Sequence, residues 1–411
     1  MKLPSSNATF GWLTAAVACA TCCILAVIYI FLPLTSRAAD SVGLLPVTEL
    51  GPVESPTIAP ESLHNPTDNL IQIAFLLDTS NSMDGLIEQA KTRLWNILNE
   101  TISAKRNGQS PQVEVALYEY GNDGLGPRNG YVRQVVGLTT DVDELSEKLF
   151  GLTTNGGDEY CGTVINQSIK ELDWSDQAQA VKLIYIAGNE SFLQGDLDPS
   201  TPIEEGRAKG IIVNTIFCGE PNRGRNLGWY GGAMAGKGDY FHINQNEATV
   251  YVPSPYDDRI EAINLQLNDT YIPMGAQGVK AKEKQLAQDA NAMKYSKSNL
   301  ASRAKYKATA NYCNAHWDLV DAYDKDKSII KKRESLPDSL RALAESEIVS
   351  RIAAVKEQRN ALQAEIKELN KLRDQHVAEE KQKNAAQSEA TLGDRITVSV
   401  KKCLKEKGYD Y

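Results

Sequence analysis

The chain has 411 residues, 42% hydrophobic and 24% charged, with a formal net charge of −9. That length holds two sizeable cores, and the composition excludes a disordered, collagenous or disulfide-knot protein. Residues 1–279 carry 17 Lys and Arg against 33 Asp and Glu, and residues 280–411 carry 27 against 20; an acidic part followed by a basic part argues for two tasks and against nucleic-acid binding by the whole chain.

After a short N-terminus (1–11), residues 12–34 (WLTAAVACATCCILAVIYIFLPL) form an uncharged run. As a helix it spans roughly 34 Å, slightly more than a hydrocarbon core of ~30 Å. It is the one long apolar run, so a multispanning protein is excluded. The length favours an uncleaved transmembrane anchor, with a long signal sequence cut near Ser36-Arg37-Ala38 as the alternative. Lys2 precedes the run while Arg37 and Asp40 follow it, a weak bias that puts the bulk of the chain outside the cytoplasm. Residues 35–68 follow as a Pro-rich, semi-extended linker. Cys19, Cys22 and Cys23 lie in the apolar run. Cys161, Cys218, Cys313 and Cys403 remain, an even number that suits an oxidising compartment and allows three connectivities.

From 69 to 270 the pattern alternates apolar strands with amphipathic helices. Strands are predicted at 70–77, 113–120, 131–138, 183–187, 211–217 and 240–243, and helices at 85–105, 142–152, 162–172 and 201–209. This is the signature of βαβ units and a doubly wound, mostly parallel, Rossmann-like α/β sheet. Ligands of such sheets sit at the carboxyl ends of the strands. The first strand delivers Asp78-Thr79-Ser80-Asn81-Ser82-Met83 to that edge. A carboxylate and two hydroxyls at alternate positions present hard oxygens suited to Mg²⁺, Ca²⁺ or Mn²⁺ rather than zinc. The same residues also make ordinary helix caps. The glycines of 228–238 fit no phosphate-binding loop and suit close backbone packing.

LLDTSNSM resembles the signature of the von Willebrand factor A (VWA) family. GGDEYCG (156–162), LIYIAGNESFLQG (183–195), NTIFCGE (214–220) and GWYGGAMAGKGDYFHI (228–243) extend the resemblance to a bacterial, envelope-associated branch. LNDTYIPMG and NAHWDLVDA carry it to about residue 325. The resemblance implies a metal-ion-dependent adhesion site (MIDAS) in which Asp78, Ser80 and Ser82 hold a divalent cation. The family's second loop supplies a Thr and its third an Asp. Here the second loop offers Thr154, Asp158 or Glu159. The third reads Gly188-Asn189-Glu190, leaving Glu190 or Asn189. Extra carboxylates would tighten metal binding and lower the ion's remaining electrophilicity, weakening an acidic partner side chain as a further ligand. If the sheet order follows the family's, Cys161 and Cys218 lie at the same edge and are expected to form a disulfide.

Residues 271–411 read as a separate helical domain. Leu336-Pro337 ends one helical stretch and Asp338 caps the next. Ile348, Ile352, Val355, Leu362, Ile366 and Leu369 follow a 4-3 repeat with Arg359 and Arg373 in the seam. Seam arginines need partner carboxylates, which favours an intramolecular antiparallel hairpin against 297–334, with self-association through 338–386 as the other use of the repeat. Basic residues alternate with acidic ones and no aromatics are interleaved, so no nucleic-acid partner is expected. Residues 396–405 remain unassigned, and a Cys313–Cys403 bridge is a further expectation.

The four histidines, His64, His242, His316 and His376, form no ligand-spaced cluster, and no catalytic constellation is visible, so no enzymatic activity is expected. The leading expectation is a single-pass protein of the bacterial inner membrane, facing the periplasm. It would bind Mg²⁺ or Ca²⁺ (Mn²⁺ also fits) at the VWA edge and recognise other envelope proteins. The alternative is a scaffold whose ion only stabilises the fold while the coiled-coil arm binds partners. An accessory of a motor ATPase is a third class, disfavoured by the anchor.

Overall fold

Every residue of the first strand, β1 (Leu70–Asp78), is buried, which is why it reads as an unbroken apolar run rather than an alternating one. A computed structural model describes residues 69–244, 246, 251–383 and 391–411. The predicted anchor at 12–34 and linker at 35–68 lie outside the described residues. Among the described residues no helix is long and apolar enough to cross a membrane.

The other strands are β2 (Gln112–Tyr120), β3 (Val132–Thr139), β4 (Val181–Gly188), β5 (Ile211–Cys218) and β6 (Lys237–Ile243). They form one sheet in the order β3-β2-β1-β4-β5-β6. Only β3 is antiparallel. All six predicted strands are present, as are the four helices predicted among them: α1 (Asp84–Ser103), α2 (Val142–Phe150), α3 (Cys161–Glu171) and α4 (Ser200–Ala208). Two short helices, α5 (Pro221–Asn226) and α6 (Trp229–Ala235), precede β6.

The remaining helices are α7 (Asp257–Asp269), α8 (Gly275–Tyr295), α9 (Lys297–Lys307), α10 (Leu319–Lys325), α11 (Asp338–Arg341), α12 (Glu345–Lys383) and α13 (Leu392–Glu406). The period-2 alternation of β1 divides the core. Ile71, Ile73, Phe75 and Leu77 pack with α1, α2, α7, α12 and α13, while Ala74 and Leu76 pack with α3 and Ile203 of α4. Helices from both sides of residue 270 thus share one core. α13, which covers the unassigned residues 396–405, buries Leu392, Ile396, Val400 and Leu404 in it.

Buried charge fastens the C-terminal helices to the sheet. Arg303 of α9 is fully buried and donates to Asp143 of α2 at 2.7 Å and to Asp289 of α8. Lys307 donates to Asp289 and Asn264 at 3.0 and 2.9 Å. The two seam arginines of α12 find carboxylates, as their placement demands. Arg359 donates to Asp318 and Asp321, both at 2.8 Å, and Arg373 to Asp257 at 2.8 Å. The expected hairpin is corrected in one respect. α12 lies on α7 as well as on α9 and α10, because Asp257, the partner of Arg373, belongs to α7. The seam of the 4-3 repeat is covered by this chain itself.

The expected disulfides are not formed: all four described cysteines are free. Cys161 opens α3 and packs on one face of the sheet, whereas Cys218 ends β5 and packs on the other. Strand and helix place the two thiols in different cores. Burial pushes both thiols up, away from reactive thiolate.

Candidate functional site

β1 ends at Asp78, opposite Tyr120, the last residue of β2. The chain then turns through Ser80, Asn81 and Ser82 into α1. Asp78 is fully buried, and its Oδ1 accepts from the Ser80 N–H at 2.8 Å. Its Oδ2 has no hydrogen-bond partner, and neither has the buried Ser80 hydroxyl. That hydroxyl lies close enough to the Asp78 and Glu159 carboxyls to favour their ionised forms, without the direction of a formed hydrogen bond.

The second loop comes in over the first, with Asn155 N–H donating to the Thr79 carbonyl at 3.0 Å. It brings Glu159, itself buried, next to Asp78. Backbone shape makes this approach possible. A Cβ on Gly121 (φ +80°) would fall 2.8 Å from Asp78 Oδ1 and 2.9 Å from Glu159 Cγ. One on Gly188, the last residue of β4, would fall 2.4 Å from the Tyr120 hydroxyl and 3.1 Å from Asp78 Oδ2. Side chains there would displace the carboxyls.

Burial pushes Asp78 up to about 7, helped by the negative charge of Glu159 and opposed chiefly by the Ser80 N–H. Burial also pushes Glu159 up to about 7, opposed by the Ser80 hydroxyl and helped by Glu190 and Asp158. Among the described residues no ion pair neutralises either carboxyl. Two adjacent buried acids beside two oxygens without hydrogen-bond partners make an arrangement that a divalent cation would satisfy. The donors are hard oxygens, as Mg²⁺, Ca²⁺ or Mn²⁺ requires. Among the described residues no three His, Cys, Asp or Glu side chains cluster as a metal site. Asp78 and Glu159 are the two carboxyls that meet at this point, with the Ser80 hydroxyl beside them.

The other predicted residues are distributed around this pair. The exposed Ser82 hydroxyl accepts from Asn189 Nδ2 at 2.9 Å, tying the first loop to the third. Thr154 donates to Asp84. Asp158 is exposed and accepts from the Tyr160 hydroxyl at 3.1 Å. Glu190 is exposed, and its carbonyl accepts from Trp229 Nε1 at 2.7 Å. Asp84, which holds Thr154, and Gly121 are site features that the motifs did not point to. A glycine directly after a buried strand was the available signal for Gly121.

The von Willebrand factor type A domain profile matches residues 72–248. Residues 72–248 are a VWA domain. Solved structures similar to it include BatB from Bacteroides thetaiotaomicron, 16% identical over 42% of this chain and 90% of that one, with a TM-score of 0.33. An aerotolerance-related membrane protein from Bacteroides fragilis is 15% identical over 43% of this chain and 93% of its own, TM-score 0.30. A von Willebrand factor type A protein from Catenulispora acidiphila is 17% identical over 43% and 39%, TM-score 0.33. No curated protein matches the chain. VWA domains are typically non-enzymatic interaction domains and commonly bind divalent metals at such an edge.

Proposed function

We propose that the VWA domain binds a divalent cation, Mg²⁺ or Ca²⁺ with Mn²⁺ also suited, at Asp78, Ser80, Ser82 and Glu159. The ion organises the carboxyl edge of the sheet for non-catalytic recognition of another protein of the cell envelope. Glu190 and Asp158 stay at the rim of this set, where their charge acts on Glu159. The observation that carries this reading is the pair of buried, uncompensated carboxyls beside the orphaned Asp78 Oδ2 and Ser80 Oγ. In this proposal residues 12–34 anchor the chain in the inner membrane, with the VWA domain and its helical buttress outside the cytoplasm.

The test is titration calorimetry of Mg²⁺, Ca²⁺ and Mn²⁺ into the full chain beside Asp78→Ala. Micromolar-to-millimolar binding is expected in the wild type and none in the variant. Equal heats in both proteins would place the ion elsewhere and sink the proposal.

A further inference from the structure

The carboxyl edge carries more negative charge than one ion removes. Asp84, Asp123, Asp158 and Glu190 are exposed around the buried pair. They belong to one surface: Thr154 bonds Asp84, a Cβ on Gly156 would lie 3.6 Å from Asp123 Oδ2, Asp158 adjoins Glu159 in the second loop, and Asn189, the neighbour of Glu190, bonds Ser82. Among the described residues none of the four enters an ion pair; the pairs of this molecule are made elsewhere. Arg128, in the connection after β2, and Arg223 and Arg225, in α5 after β5, form no ion pair with these acids. Arg225 is stacked instead on Tyr230 and Tyr240, at 4.5 and 5.5 Å from their ring centroids. A dication at Asp78 and Glu159 leaves the four outer carboxylates in place, so the rim stays negative with the ion bound.

Beside Glu190 the surface becomes apolar. Leu193 is 63% exposed, Tyr230 40% and Met234 47%. Leu193 and Tyr230 flank the Glu190 loop: Trp229, next to Tyr230, is bonded to the Glu190 carbonyl, and a Cβ on Gly228 would lie 3.2 Å from Leu193 Cγ. Apolar side chains next to unpaired charge, with orphaned buried oxygens at the centre, mark a surface built for contact.

We infer that this edge docks a cationic protein segment, its Lys or Arg side chains set against Asp84, Asp123, Asp158 and Glu190 and a neighbouring aliphatic or aromatic side chain set on Leu193 and Tyr230. Charge complementarity selects this occupant. A partner carboxylate approaching the ion would have to pass four carboxylates, and a Lys or Arg is drawn in by the same field. The inference rests on the reading of this edge as a recognition surface and adds the chemistry of the partner.

The experiment presents the full chain in Mg²⁺ to an array of immobilised nonapeptides pairing Lys or Arg with Leu or Phe, each beside a twin carrying Asp or Glu in place of the base. Retention on the basic peptides is expected to exceed that on the acidic twins by about tenfold and to fade between roughly 50 and 500 mM salt. Asp123→Asn combined with Tyr230→Ser, both at exposed positions, is expected to lose about fivefold or more of that retention while the Mg²⁺ heat is unchanged. Preference for the acidic twins, equal retention, no retention, or a double variant that binds like wild type would each overturn the inference. If the wild type shows no Mg²⁺ heat yet retains the basic preference with its dependence on Asp123 and Tyr230, the metal reading fails and this one stands.

Discussion

Asp78 and Glu159 are the residues on which the site turns, and their cost to the fold is visible. Both are pushed up to about 7, mainly by burial. Between the ordinary carboxylate range and about 7 the folded protein holds protons that the unfolded chain has released. Without metal, these two groups therefore lower stability as pH rises through that window. A bound dication must displace those protons, so Mg²⁺ affinity is expected to rise from about pH 5 to about pH 8. The proton release should appear as calorimetric heats that change with the ionisation enthalpy of the buffer. An affinity that is flat over this range would contradict the placement of the ion between these two carboxyls. The cysteines make a second prediction at this scale. Alkylating the denatured but unreduced protein should label both Cys161 and Cys218, and mass spectrometry showing them protected as a pair would refute their assignment to opposite faces of the sheet.

At the scale of elements, α12 shows how a coiled-coil-like repeat can be used within one chain. Ile348, Ile352, Leu362 and Ile366 are buried on one side of it, together with Arg359 and Arg373. Arg359 also stacks on Tyr271 at 4.2 Å and donates to the Thr270 hydroxyl at 3.1 Å, so its guanidinium is held on every edge. Removing one member of such a buried pair leaves a charge uncompensated. Arg359→Ala is expected to cost about 3–5 kcal/mol, and replacement of both Arg359 and Asp318 by apolar residues far less. Urea denaturation reads both values, and a loss below about 1 kcal/mol for Arg359→Ala would show the pair to be solvent-screened. Deleting α12 to test whether the arm binds partners would strand Asp257 and Asp318, so point changes on its exposed side, such as Leu372, make the cleaner probe.

In the molecule as a whole, the sheet and the C-terminal helices depend on each other. α1 packs against both α9 and α13, and Trp95 of α1 lies under the Arg303 guanidinium, 4.7 Å from its ring centroid. A chain ended at residue 270 would expose the outer face of α1 and leave Asp143 without Arg303 or Tyr312. Such a truncation is expected to lose its sharp cooperative melt, while a chain of residues 69–411 unfolds in one transition. A truncated protein melting like the full one would show that the sheet needs no buttress. Acid should loosen the joint as well. Asp289 is held below the usual carboxylate range by Lys307 and Arg303 against the opposing effect of burial. Its contribution is present above the ordinary Asp range and is lost as pH falls through its depressed value.

The strands were legible because a sheet covered on both faces demands unbroken apolar runs such as LIQIAFLL and LIYIA, and local composition carries that demand. The first loop of the candidate site stood out because three oxygen side chains fall at alternate positions directly after a strand. The arginines of α12 announced a need for carboxylates, since no seam tolerates an unpaired charge. Which carboxylates answered was decided by packing: Asp257 and Asp318 are remote from α12 along the chain and meet it only through the fold. The same holds for Glu159 rather than Thr154 beside Asp78, for Cys161 and Cys218 on opposite faces, and for α13 against α1. Periodicity along one segment reports which face of that segment avoids water. Which distant segment covers that face depends on how all the faces are satisfied together, and that is settled only when the chain packs.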